Sequence, residues 1–214
     1  MSARRTFGAM LALPFLLAGC LGHDAPVEEP APQRLLSDPA FYDARPDGDR
    51  YLPAIDTEAF HPALLRNEVA YETAEPPGTI VIDTTGPFLY FVEGEGRATR
   101  YGIAIGREGF GWTGDGVIAR RASWPRWTPP PEMIKRDPSL EKWRGGQPGG
   151  VSNPLGARAL YIYFNGHDSG YRIHGTNQPN SIGYAASSGC FRMLNQDVID
   201  LYERVPNGAK VIVI

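Results

Sequence analysis

From Pro76 onward the pattern of apolar and polar positions becomes strand-like. Phe88, Tyr90 and Val92 interleave with Leu89, Phe91 and Glu93, a period of two that lets one strand present two faces. The preceding GTIVIDTT is a short β-branched run, and Gly94 and Gly96 mark a turn into RATRYGIAIG. GVIARRASW, ARALYIYF, GYRIHG and the closing AKVIVI are further strand candidates, so the pattern predicts a mainly β domain. Helical periodicity is scarce. Asn195 is placed to cap QDVIDLYERV, whose apolar stripe is Val198, Ile199, Leu201, Tyr202 and Val205. Asp197 suits the positive end of that helix, and Pro206 and Gly208 stop it. PPPEMIKRDPSLEKW predicts one or two helical turns inside a long connection.

Residues 21–75 read differently. They are polar and proline-rich, and HDAPVEEPAPQRLL predicts an extended tether. DTEAFHPALLRNEVAY, residues 56–71, predicts a short helix interrupted by Pro62 and packed only loosely on the domain. The stretch from Trp124 to Pro154 is long and rich in Pro, Gly and Trp. Loops of that length inside a domain tend to be functional, which makes it a candidate substrate wall; the plainer reading is a solvated connection whose tryptophans pack on the sheet.

The N-terminus adds a compartment. Arg4 and Arg5 precede the apolar run Ala9 to Ala18, which is too short to span a bilayer and the right length for a secretory leader. It ends in Leu17-Ala18-Gly19-Cys20, which resembles the lipobox of bacterial lipoproteins. That resemblance implies cleavage before Cys20 and a diacylglycerol on its thiol. Leu21, in place of the aspartate that retains lipoproteins in the inner membrane, implies sorting to the outer membrane. The expected division is a leader over 1–19, a lipidated tether over 20–75 and a domain over 76–214.

Composition then narrows the chemistry. The net charge of −3 argues against a nucleic-acid partner, and 42% hydrophobic residues suffice for a core. The chain has two cysteines. With Cys20 lipidated, Cys190 has no intramolecular partner, and the fold cannot be a disulfide-stapled one. An odd cysteine in an oxidising compartment is a buried hydrophobe, an intermolecular disulfide or a reactive thiol. Cys190 sits in YRIHGTNQPNSIGYAASSGCFRM, with His174 upstream at what reads as a strand end. An imidazole titrates near neutrality and suits a base for the thiol. The amides of Ser188, Gly189 and Cys190 are candidate oxyanion donors. Arg192 can bind a substrate carboxylate or lower the thiol pKa. His167 and Asp168 lie close, but no ligand spacing supports a metal site.

HGTN followed by SSGCFRM, with the opening GTIVIDTTGPFLYFVEG, resembles the L,D-transpeptidase catalytic domain family of bacterial cell-wall enzymes over roughly Pro76 to Ile214. The family's usual second histidine is Ser188 here. The resemblance implies a β-sandwich of two mixed sheets with one or two short helices. It implies Cys190 as nucleophile, His174 as general base, and the carbonyl of Gly175 as the third member of the constellation. Ser187 would order the turn, Arg192 would meet a substrate carboxylate, and Tyr171 and Asn177 are candidate pocket contacts, with packing and loop capping as their structural alternatives. The implied reaction is acyl transfer on peptidoglycan stem peptides through a thioester, without metal or organic cofactor. The acceptor would be a second stem or a lysine of an outer-membrane protein, on the periplasmic side of the envelope. Two other readings stay open: a hydrolase of the same substrates, and a wall-binding lipoprotein without turnover.

Overall fold

The period-two runs become strands in the computed structural model, which describes residues 34–35, 39–107 and 112–214. The expected leader, Cys20 and the first part of the tether lie outside the described residues. Four short strands come first: β1 (Arg34–Leu35), β2 (Arg45–Asp47), β3 (Arg50–Leu52) and β4 (Asn67–Ala70). Then follow β5 (Ile80–Asp83), β6 (Phe88–Gly94), β7 (Arg97–Gly106) and β8 (Gly114–Ser123). After helix α1 (Pro131–Arg136) come β9 (Arg158–Phe164), β10 (His167–His174), β11 (Ala185–Ser187) and β12 (Phe191–Met193). Helix α2 (Asn195–Arg204) and β13 (Lys210–Val213) complete the chain.

The domain is mainly β, as the pattern predicts. One hydrogen-bonded path runs β1-β4-β7-β12-β10-β9-β8-β13-β5-β6, with β2 and β3 as a separate hairpin. Because β6 pairs with β7 as well as with β5, the path returns on itself. The two layers of the expected sandwich are thus joined by hydrogen bonds, and both are mixed: β10 and β12 run parallel in one, β5 and β13 in the other. Inward-facing Ile80, Ile82, Leu89, Tyr101, Ile103, Ile118, Leu160, Ile162, Ile173, Phe191 and Met193 form the main core. Val198, Leu201 and Val205 of α2 join it through the predicted stripe. Each such side chain contributes about 1.5–3 kcal/mol on burial.

The tether expectation needs correction from residue 39 onward. The described residues from 39 onward belong to one compact unit. Tyr42, Leu52, Leu65 and Val69 are buried, and β4 pairs antiparallel with β7. Leu65 and Tyr42 share a second core with Ala104, Ile182 and Leu194. The Tyr42 hydroxyl donates to Asp197 Oδ1 at 2.8 Å and accepts from the Arg66 amide at 2.9 Å. No helix forms over 56–71. Two 3-10 turns, Thr57–Ala59 and Pro62–Leu64, replace it, because Pro62 supplies no N–H for a longer helix. The Trp124–Pro154 connection holds α1 and a 3-10 turn at Pro138–Trp143. Buried Asn153 braces it, donating to the carbonyls of Pro125, Gln147 and Pro148 at 3.0–3.2 Å and accepting from the Leu155 amide at 2.8 Å.

Candidate active site

Parallel pairing requires a crossover, and here the crossover is the polar loop between His174 and Cys190. The register sets Ile173 opposite Phe191 and His174 opposite Arg192. Cys190, one residue before β12, therefore stands beside Arg172. Period two sends Ile173 and Phe191 into the core and leaves Arg172, His174, Cys190 and Arg192 on the outer face.

The turn before Cys190 is closed by Ser187. Its hydroxyl donates to the Cys190 carbonyl at 2.5 Å and accepts from the Gly189 amide at 3.1 Å. Gly189 takes φ 118°, a conformation side chains resist. Ser187 thus orders the turn as expected. The Gly189 amide does not fit the oxyanion expectation, since Ser187 Oγ already holds it. The Cys190 thiol is half-buried, 3.8 Å from the Gly170 carbonyl, with the Arg172 amide directed at its sulfur. Burial pushes the thiol pKa up, outweighing the Arg172 amide and the Arg172 and Arg192 charges.

His174 is buried, and its Nδ1 lies 2.6 Å from the Gly175 carbonyl. A carbonyl only accepts, so Nδ1 carries the proton and Nε2 is left with a lone pair. Burial, helped by the Arg192 and Arg172 charges, lowers the imidazole pKa to about 4 against the Gly175 hydrogen bond. At neutral pH the pair rests as thiol and neutral imidazole.

A side chain outside the predicted site fixes this carbonyl. Asn195 Oδ1 accepts from the Ala157 amide at 2.9 Å and the Thr176 amide at 3.3 Å, while Nδ2 donates to the Thr176 carbonyl at 2.9 Å. Asn195 Oδ1 fills the space that a Cβ on Gly175 would need, so residue 175 is glycine. The expectation that Asn195 caps α2 gives way: Leu194 is the cap residue, and no side chain bonds there. The sequence signal for Asn195 was its polar side chain at a helix start, which capping explained equally well.

Arg192 is half-buried, its Nη1 3.2 Å from Gln178 Oε1, with no carboxylate partner among the described residues. Burial lowers its pKa from the usual guanidinium range. Tyr171 and Asn177 take their structural alternatives. The Tyr171 ring stacks between Trp112 at 5.5 Å and Phe191 at 6.4 Å against the core, and Asn177 Nδ2 donates to the Ser152 carbonyl at 3.0 Å. Ser188 is exposed beside the thiol. Among the described residues no three metal-ligating side chains cluster.

Comparison with known proteins supplies the family. A family model described as the L,D-transpeptidase catalytic domain matches residues 77–213. The chain is 30% identical over 196 residues to the probable L,D-transpeptidase YbiS of Escherichia coli, covering 89% of this chain and 60% of that protein's length. It is 30% identical over 177 residues to a putative L,D-transpeptidase of Fuscovulum blasticum, covering 76% of this chain and 87% of that one. A solved structure from Brucella melitensis, described as a probable carnitine operon oxidoreductase, is 46% identical with a TM-score of 0.50, covering 74% of this chain and 99% of that chain.

Proposed function

The chain belongs to the L,D-transpeptidase catalytic domain family, and from that premise we propose that it transfers acyl groups between peptidoglycan stem peptides through a thioester on Cys190. The thiol sulfur attacks the carbonyl of the stem's third residue as its proton passes to His174 Nε2. The Gly175 carbonyl, 2.6 Å from Nδ1, holds the ring and steadies the imidazolium that forms. The amides of Ser188 and Cys190 receive the developing oxyanion. Arg192, free of a carboxylate among the described residues, takes the substrate's acid group. The terminal D-alanine leaves with the proton from His174. An amine then bonds to the carbonyl carbon and gives its proton to His174; the carbon–sulfur bond breaks, and His174 returns that proton to the Cys190 sulfur.

The observation that supports this reading is the parallel register of β10 and β12, which pairs His174 with Arg192 and so leaves half-buried Cys190 on the same face as the tautomer-fixed imidazole, diagonally across the two strands. The raised thiol pKa and the lowered imidazole pKa favour a pair that moves one proton during attack over a preformed ion pair. The test is intact-mass spectrometry after incubation with a carbapenem. Wild type should gain one adduct and Cys190→Ala none; an adduct on both, or neither, contradicts the reading. We also propose that the protein is exported, lipidated on Cys20 and held at the outer membrane, where an envelope protein's lysine can serve as acceptor. Leu17-Ala18-Gly19-Cys20 supports this. Labelled fatty acid should enter the wild type and not Cys20→Ala.

A further inference from the structure

The outer face beside Cys190 carries more cationic chemistry than the acyl-donor step uses. Sheet register aligns Arg120 of β8, Tyr161 of β9 and Arg172 of β10 in one row, and the same row continues to Cys190. Two guanidiniums cover the Tyr161 ring, Arg120 at 4.0 Å and Arg172 at 4.6 Å from its centroid. They are not equivalent. Arg172 is held fork to fork by Asp168, at 2.7 and 2.8 Å, so its charge is matched. Arg120 is exposed and makes no hydrogen bond or ion pair among the described residues; it feels Asp168 only through space. With Arg172 matched by Asp168, the row keeps one unmatched positive charge, on Arg120, in a chain whose net charge is −3.

Cys190 therefore lies between two guanidiniums without carboxylate partners. Arg192 is on its own strand. Arg120 is three strands away, about 14 Å at the usual strand spacing, a span of about four extended residues. Between them lies Gly170, which is exposed and, among the described residues, has nothing within reach of a Cβ. The Gly170 carbonyl faces the sulfur, so this exposed glycine borders the thiol itself.

We propose that Arg120, seated on Tyr161, is a carboxylate subsite for the amine-bearing second substrate, an acidic peptide that approaches the thioester over Gly170. This rests on the transpeptidase reading. With the donor's acid group on Arg192, the Gly170 side is the open approach to the thioester. An exposed guanidinium stacked on a ring is preorganised for bidentate pairing, and its unmatched charge draws an anion toward the thioester. Arg120 acts on acceptor choice and takes no part in acylation.

The experiment compares wild type, Arg120→Gln and Arg120→Glu. Each is acylated with a tetrapeptide stem and resolved by a stem acceptor with free carboxylates or by the same acceptor amidated. Wild type should favour the acidic acceptor by about fivefold in kcat/KM, mainly through KM. Arg120→Gln should erase that preference, and Arg120→Glu should invert it. Carbapenem acylation and turnover with the amidated acceptor should stay within about twofold in all three, as befits an exposed substitution. Equal preference in wild type and Arg120→Gln overturns the inference, as does a wild type without preference. Absence of any acyl-enzyme in wild type overturns the transpeptidase reading and this inference with it.

Discussion

The two faces of β10 and β12 carry opposite cargo. Inward, Tyr171, Ile173, Phe191 and Met193 join an apolar core. Outward, Arg172, His174, Cys190 and Arg192 are polar, and burial lowers the pKa values of His174 and Arg192 and raises that of Cys190. Adjacent residues on one strand thus serve stability and chemistry separately, because a strand's side chains alternate by construction. Substitutions one position apart should therefore fail in different ways.

The largest separation is expected at Cys190. Cys190→Ala should lower turnover by at least about 10³-fold and leave the melting temperature within about 2 °C; comparable loss of both would tie the thiol to packing. Ile173→Ala, one position from both Arg172 and His174, should cost about 2–5 kcal/mol in urea unfolding. Its folded fraction should still take up carbapenem. A fold unchanged by that substitution would dissolve the contrast.

Asn195 sharpens the comparison because it is buried yet serves the outer face. Asn195→Asp keeps an acceptor for the Ala157 and Thr176 amides and loses the donor to the Thr176 carbonyl. The Gly175 carbonyl should then hold Nδ1 less firmly, and the acylation rate should fall by about tenfold, with KM for the stem nearly constant. The acid limb of its pH profile should move, which a purely structural role would not produce. Tyr42→Phe should do the reverse. It removes the donor to Asp197, whose pKa burial pushes up to about 7. A stability loss of about 1–2 kcal/mol with an unchanged acylation rate would confine residues 39–70 to a structural role.

These cases also show what could be read from the chain alone. His174 and Cys190 could be nominated because a histidine, a spacer and Ser-x-Gly-Cys are local patterns. The strands were legible because period two survives in sequence. The packing of residues 39–70 was not, since Tyr42, Leu52 and Leu65 lie in apolar runs of two or three residues broken by prolines and polar residues, too short to show a period, and find their partners far along the chain. The Gly189 amide was misplaced because only the folded turn shows that Ser187 takes it. Asn195 and the Arg120–Tyr161–Arg172 row depend on contacts between separate segments, which no local spacing encodes.

In the proposed mechanism a buried, neutral, Nδ1-protonated His174 takes the proton from Cys190. The direct measurement is the rate of Cys190 acylation by a carbapenem from pH 3.5 to pH 8, followed by intact mass. The His174 pKa is lowered from 6.5 to about 4, so the imidazole stays a base well below its ordinary range. The same shift means the folded state binds fewer protons than the unfolded chain between those values, so His174's contribution to stability is lost as pH falls from 6.5 to about 4. The rate should therefore be nearly flat from about pH 5.5 to 7.5 and halve near pH 4, before unfolding intervenes. A rate that halves near pH 6.5 would contradict the account, because it would mean an exposed, ordinarily titrating histidine or a different base.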